Sequence, residues 1–438
     1  MYRFGGLDSL MASKGINSST VFTAYLNEVF SKRESQEANL EGFVWDTPQL
    51  DFTYEMLEAE RNVEVMASYV DLNSPAIPYG KQNKLSILKG TIPRMKASVV
   101  RGENDYRKQL IALNEVKSIA NFSNKNESAA INSFLSKQLF LAVDDIVSAF
   151  KNSLNYQVGQ MKSNAGLTLT DDNNPYGSIR ASFKANVPED NHFVKTWFTD
   201  TNGTEKPSST PVDDIRNFVR ELKWKVNGYS NVAIEMSEKF LYKLLSHTDV
   251  LKAIGYALTG IGLRYTKAND DNAVAVARGT ALDAQKEALR RVLEVDEIIT
   301  SKTVCVAEKP SLSEGVISLD AFQDGVILVR PTGTIGVIKN VAPLRPDSQA
   351  IVGSIYGGRG IIEYVYNRDT REQRWMGELT ALAVPIRPKD MYYFHAYGSK
   401  ASSASTLSVD NVGNETEKQK SNDLTESNDL TESNDLTE

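Results

Sequence analysis

The chain predicts an α+β fold, and three observations predict it. A single stretch from Ser128 to Gly166 carries an apolar stripe of helical period over almost forty residues. The middle of the chain alternates helix-like and strand-like segments. Strand patterns then dominate from 297 to 397, with short period-two runs separated by Gly and Pro. Helices and strands that are partly segregated along a chain point to α+β rather than to a strict βαβ alternation.

The totals set the frame. The 438 residues are enough for two lobes or one large elaborated domain, and a hydrophobic fraction of 41% supports a real core. No uncharged apolar run approaches the ~18 residues of a membrane span. The opening MYRFGGLDSLMASKG lacks the apolar centre of a signal peptide. Cys305 is the single cysteine, so no intrachain disulfide is possible and a reducing compartment fits. The net charge of −7 is localised. Residues 401–438 hold nine acids and two bases, which leaves residues 1–400 balanced at 47 of each sign. A neutral body argues against strong sequence-independent nucleic-acid binding.

Taken in order, residues 1–50 predict one modest amphipathic helix near 20–30, a loop at 31–40 and otherwise extended chain. Residues 51–75 predict a short helix or strand and a turn at Asn73-Ser74-Pro75. The next segment is compositionally odd. Lys81, Lys84, Lys89, Arg94, Lys96 and Arg101 meet no acid between Asp71 and Glu103, and Pro75, Pro78, Gly80, Gly90 and Pro93 break any long helix. Leu85, Ile87, Met95, Ala97 and Val99 alternate with polar residues. The pattern predicts a long basic two-stranded hairpin over 76–102, turning near Gly90. A lone hairpin is marginal in water, so it needs a partner surface: a nucleic acid, for which Tyr79 is the one stacking aromatic, or a neighbouring subunit.

Residues 104–127 are polar and helical or coiled. The long helix follows, with Leu135, Leu139, Val143, Ile146, Phe150, Leu154, Val158 and Met161 at steps of three and four. Ser128 is its expected N-cap and Asn164 to Gly166 its C-cap. Its length is on the order of 50 Å. Taken alone it reads as a long core helix. Short strands with turns at 173–175 and 188–190 come next, then a linker at 201–212. A helix is expected from Asp213 to Trp224, with Ile215, Phe218, Val219 and Leu222 on one face. NVAIEMS (231–237) reads as a strand and 238–258 as one or two helices. Residues 264–280 are polar and read as a loop, and Ala281, Ala284, Ala288 and Val292 mark a further helix. EIITSKTVCVAE (297–308) alternates like a strand. Residues 325–340 read as a buried strand, turn and second strand, and 374–397 as a closing strand pair separated at Pro388. From Ser399 the chain is rich in Ser, Asn and Thr and contains three copies of SNDLTE (421–438). That composition cannot bury a core and predicts disorder over 398–438.

Motifs that carry chemistry are few. His192, His247 and His395 show no metal-ligand spacing, and there is no HExxH, CxxC or GxSxG. YGGRG (356–360) and TGIGLRY (259–265) lack the Lys-Ser/Thr that completes a phosphate loop. Cys305 lies in a strand pattern and reads as a buried structural thiol rather than a nucleophile. Asp144 and Asp145 are adjacent on the helix and so do not point together.

Several stretches resemble tailed-phage major capsid proteins of the Hong Kong ninety-seven fold, most closely the lambda-type major capsid protein E family. LSILKGTIPRMKASVVRGENDYRK resembles the second half of that family's extension loop. AFKNSLNYQVGQMKSNAGLTL resembles the end of its spine helix. SIRASFKANVPEDNHFVKTWFTD, ending near Trp197, and VNGYSNVAIEMSEKFLYKLLSHTDV resemble the strands and helix that follow. GVILVRPTGTIGV and ALAVPIRPKDMYYFHAY resemble the last two strand regions. The resemblance covers roughly 20–397. The tail after Tyr397 has no counterpart.

The resemblance implies an N-terminal arm at 1–50 and an extension hairpin with flanks at 51–106. It implies a peripheral lobe at 107–212 containing the spine helix 128–165, an axial lobe at 213–296 and 309–373, and peripheral-lobe strands at 297–308 and 374–397. It implies a structural shell protein without catalysis or cofactor. Copies would form hexamers and pentamers of an icosahedral head around double-stranded DNA, bound without sequence specificity. Partners would be a separate scaffolding protein, a portal and a decoration protein, with no membrane; assembly would occur in the host cytoplasm. The expected inter-subunit contacts are Tyr79, Lys81, Lys84, Lys89, Arg94, Lys96 and Arg101. An encapsulin shell enclosing a protein cargo is the alternative of the same fold, and a soluble enzyme using Cys305 the alternative of another class.

Overall fold

The computed structural model describes residues 40, 42–57, 87–102, 127–175, 182–224, 229–259, 267–308, 315–344, 351–367, 372–400 and 406–407, with scattered helical positions between 104 and 118. The expected helix at 20–30, the turn at 73–75 and the SNDLTE repeats lie outside these residues.

The long helix is α1, Glu127–Asn164, 38 residues. It begins one residue before the expected N-cap, Ser128. Its stripe does what the period requires: Val143, Ile146, Phe150, Leu154, Val158 and Met161 are all buried. The helix stops at Ala165, whose φ of 52° is left-handed, so an alanine takes the terminating position usually held by glycine.

α1 lies on a six-stranded sheet made of β1 (Phe43–Trp45), β4 (Arg94–Arg101), β13 (Gly336–Asn340), β14 (Ile351–Ile355), β15 (Gly360–Asn367) and β16 (Glu372–Pro385). β16 is its organising strand. It pairs antiparallel with β15 along one side, and with β4 and then β13 along the other. Helix and sheet meet closely. A Cβ at Gly377 of β16 would fall 2.3 Å from Ile146 Cγ2. Tyr364, Trp375 and Leu379 complete this core with the α1 stripe.

A second lobe is built on a five-stranded sheet ordered β7 (His192–Val194), β17 (Tyr392–His395), β12 (Val326–Pro331), β8 (Val232–Ser237) and β9 (Glu297–Ser301). β8 and β12 are buried at every position. Helices α2 (Pro211–Trp224), α3 (Glu238–Ser246), α4 (Thr248–Thr259), α5 (Lys267–Arg278) and α6 (Leu282–Val292) belong to this lobe. Ser237 caps α3 by accepting from the Phe240 amide. The expected face of α2 is buried at Ile215, Val219 and Leu222, and Phe218 is half-buried.

Smaller sheets complete the molecule. β2 (Thr53–Leu57) pairs antiparallel with β3 (Ile87–Thr91), and β5 (Gly166–Thr168) with β6 (Ser182–Lys184). β10 (Val304–Glu308), β11 (Val316–Asp320) and β18 (Thr406–Leu407) form a three-stranded sheet.

Four expectations change. The hairpin does not turn at Gly90: that residue lies within β3, opposite Tyr54, while β4 leaves to join β16. β2, not β4, is the antiparallel partner of β3, and buried Ile92 extends that pairing by donating its amide to the Phe52 carbonyl. Residues 267–278 of the expected 264–280 loop are helix α5, with Ala273 and Ala277 buried. The 297–308 segment is two strands in two sheets, and the 374–397 pair is likewise divided, with β16 and β17 in different lobes. Finally, Thr406–Leu407 is a strand, so the disorder expected over 398–438 does not hold there.

Candidate assembly surfaces and the lobe junction

The basic segment is the first candidate site. Tyr79, Lys81 and Lys84 lie outside the described residues. Lys89 on β3 meets Glu55 on β2 at 2.5 Å, both exposed. Arg94 and Lys96 on β4 share Glu378 of β16 at 2.8 and 3.8 Å. Arg94 also stands over the Phe52 ring, 5.6 Å from its centroid. Arg101 is half-buried and interacts with Asp145 and Asp105. Lys89, Arg94 and Lys96 therefore find acids of the same chain across a strand pair. These exposed pairs contribute little to folding, about 0–1 kcal/mol each.

The ribbon that carries Lys89 pairs, among the described residues, with neither large sheet. Near its base the chain exposes apolar side chains. Leu50 and Leu344 are each more than four-fifths exposed, and they flank a backbone pairing between Gln49 and Val341.

A cleft of about 900 Å³ runs beside α1, with Asp145, Asn152 and Ser153 on the helix, Met95 on β4 and Val306 on β10 among its lining. Among the described residues β4 pairs only with β16 and β10 only with β11. Cys305 is buried there and donates from Sγ to the Asn152 carbonyl at 3.2 Å. Burial pushes its thiol up to about 12, the reverse of what a nucleophile needs, as the sequence reading expected.

The junction between the lobes contains a charged cluster that sequence reasoning missed. Lys162, near the end of α1, donates to Glu235 Oε1 at 2.6 Å. Arg330 on β12 donates from Nε to Glu235 Oε2 at 3.2 Å. All three side chains are buried. One acid between two bases ties α1 to the central strands of the other sheet. The partners stand 73 and 95 residues apart, so no spacing motif exists. The available signal was a lone Glu in VAIEMS and a lone Arg in VILVRP, since a charge in an otherwise apolar strand needs a buried partner.

The structure also joins two histidines that are distant in sequence. His192 Nδ1 and His395 Nε2 are 3.1 Å apart, and the His192 ring stacks on Tyr393. Burial first, then the neighbouring charge, lowers His395 to about 4. Among the described residues no cluster of three or more His, Cys, Asp or Glu could hold a metal, and no helix is long and apolar enough to cross a membrane.

No family model and no curated protein matches the chain. Solved structures do. A phage-related protein from Bordetella bronchiseptica RB50 overlaps 84% of this chain and 94% of its own, at 11% identity and a TM-score of 0.42. The mature capsid of bacteriophage PhiM1 overlaps 82% and 87%, at 11% identity and a TM-score of 0.40. The capsid of the myovirus XM1 overlaps 81% and 90%, at 10% identity and a TM-score of 0.38. The solved chains to which this one is similar thus include phage capsid proteins.

Proposed function

We propose that the protein is the major shell subunit of a tailed-phage head, with a structural role and no reaction. The observation that carries this reading is the ribbon of β2 and β3. It stands apart from both large sheets among the described residues, and residues 58–86 lie between its strands. A two-stranded ribbon is marginal by itself, so its natural support is another copy. The exposed Leu50, Phe52 and Leu344 near its base extend the same surface. The long α1 laid across a six-stranded sheet, followed by a separate helix-rich lobe, agrees with the family order that the sequence resembles.

In this reading Tyr79, Lys81, Lys84, Lys89, Arg94, Lys96 and Arg101 reach a neighbour, copies form hexamers and pentamers, and the shell encloses double-stranded DNA. A separate scaffolding protein, a portal and a decoration protein complete the set of partners. Assembly takes place in the host cytoplasm and the product is the virion capsid. Electron microscopy of the purified protein is the test. Shells or capsomer rings are expected, and a compact monomer under all assembly conditions overturns the proposal. Particles that copurify with a protein cargo instead of DNA would transfer it to an encapsulin-like shell.

A further inference from the structure

The cleft beside α1 is walled by strand edges. It touches Pro93 and then Arg94, Met95 and Lys96 of β4 in succession, and Cys305, Val306 and Ala307 of β10 in succession. Successive strand residues point to opposite faces, so a cavity that meets every one of them meets the edge of the strand rather than a face. Both edges are open, since among the described residues β4 pairs only with β16 and β10 only with β11. An antiparallel strand paired on one side turns the N–H and C=O of every second residue toward the other. Backbone donors and acceptors of β4 therefore stand along the cleft. The Cys305 thiol holds β10 to α1 through the Asn152 carbonyl.

The floor is α1 from Asp145 to Gln157, about 18 Å long at the helical rise. Ser148 and Ala149 on it are small and exposed. Gln157, at the end of this floor, is only 5% exposed, and its amide is poorly satisfied. Its Nε2 donates to Met95 Sδ at 3.5 Å, a weak acceptor, and its Oε1 has no partner among the described residues. A buried amide oxygen without a donor is costly, and a methionine side chain is flexible enough to move off it.

We propose that this cleft is a binding site for a short extended peptide of a separate protein, which adds as a strand to the open edge of β4 and turns small uncharged side chains toward α1. Main-chain bonds to β4 supply the affinity, and the small side chains of the floor supply the selection, as strand addition requires. A guest N–H reaches Gln157 Oε1 once Met95 moves aside. At the mouth Arg94 and Lys96 stand against Glu378 and Asp145, a balance that suits an uncharged segment. The floor holds about five or six extended residues. A contact that short buries far less than the ~1,200–2,000 Å² of a stable protein interface, so the site fits a linear segment and not the folded face of a second copy. This inference stands on the cleft alone and holds whether or not the chain builds a shell.

Panning a random hexapeptide display library on the full chain tests it. Enriched peptides are expected to alternate small apolar residues with polar uncharged ones, and synthetic copies of them to bind in calorimetry. N-methylation of every second amide should weaken that binding about tenfold or more in one of its two registers, because it removes the donors to β4. Ala149→Trp, which fills the floor from an exposed position, should weaken it as much. Should Ala149→Trp lower the melting temperature, Ser148→Trp, also exposed, takes its place. A library that yields no enriched sequence, or enriched peptides that bind the Trp variant as tightly as the parent, overturns the proposal. Affinity that survives N-methylation in both registers would show recognition by side chains and overturn strand addition. A parent chain that is dimeric, and becomes monomeric with the Trp substitution, would assign the cleft to a second copy and overturn the choice of occupant.

Discussion

At the scale of single residues, Glu235 is the side chain on which the most depends. Its removal leaves Lys162 and Arg330 buried with no counter-charge. Breaking a buried pair in this way costs about 3–5 kcal/mol, whereas exchanging a whole cluster for apolar groups of like volume is often neutral or stabilising. Glu235→Ala should therefore lower stability by roughly that amount in denaturant titration. The triple variant Lys162→Met, Glu235→Leu, Arg330→Met should recover most of it. A Glu235→Ala protein within 1 kcal/mol of the parent would show that the cluster is not held as described. His395 gives a pH dependence. An unfolded histidine titrates near 6.5, and in the fold His395 titrates at about 4. Between those values the unfolded chain binds the extra proton, so this contribution is complete above 6.5 and is lost as pH falls toward 4. The charged and titratable neighbours of the site are His192, Glu189 and Lys400, with the Tyr393 ring stacked on His192. Melting temperature against pH should fall over that window, and His395→Gln should flatten the fall; an equal acid slope in both proteins would remove His395 as its source. Neither site was legible as a site in the sequence, because each is made by residues that only the topology brings together. What was legible was the oddity of a lone charge in an apolar strand.

At the scale of elements, regular periods were readable and close approaches were not. The α1 stripe, the buried face of α2 and the runs of β8 and β12 follow directly from apolar spacing. Gly90 misled because glycine is a turn signal as well as a space-maker. Here it makes space: a Cβ at that position would sit 2.8 Å from the Tyr54 ring. α5 was hidden for a related reason. Its contact with α4 is a strip of small residues, so KANDDNAVAVAR carries little apolar signal. A Cβ on Gly255 of α4 would lie 2.0 Å from the Ala273 carbonyl oxygen. The same logic makes a prediction on α1, where a Cβ at Gly159 would fall 2.3 Å from the backbone oxygen of Ala321. Gly159→Val should cost about 1–3 kcal/mol by forcing the helix off the chain after β11, read as a lowered denaturant midpoint, and a midpoint equal to the parent's would mean that the two segments separate freely. The ribbon carries the assembly prediction. Replacing Lys81, Lys84 and Lys89 with Glu should leave a soluble, folded subunit that assembles poorly, since among the described residues the ion pair of Lys89 is an exposed one with Glu55. Normal assembly of that variant at physiological salt would take the assembly role away from these charges.

At the scale of the whole molecule, strand patterns located several of the strands but not the sheets they join. The chain passes between the lobes at 331–336 and again at 385–392, so strands adjacent in sequence separate in space. Local alternation contains no term for that choice; burial on both faces of β12 and the charge pairing of Arg330 decide it. Charge, by contrast, is legible at this scale without any structure. All of the net −7 resides in 401–438, and the remaining 400 residues balance. A protein near zero net charge associates and precipitates more readily than one kept several charges away. A chain truncated after Lys400 should therefore still fold, and its assembly should still proceed, but its solubility at pH 7 should drop below that of the full chain. Light scattering against protein concentration measures this directly. Adding salt should not rescue it as it rescues a like-charged pair, because the truncated body has little net field to screen. Mild proteolysis of assembled particles locates the charge. Under the proposed shell reading, acidic repeats facing enclosed DNA would repel its phosphates, so an exterior tail is expected to be clipped quickly. Repeats that survive until the particle is opened would place the tail inside. Equal solubility of the full and truncated chains at neutral pH would show that the tail's charge serves no colloidal purpose.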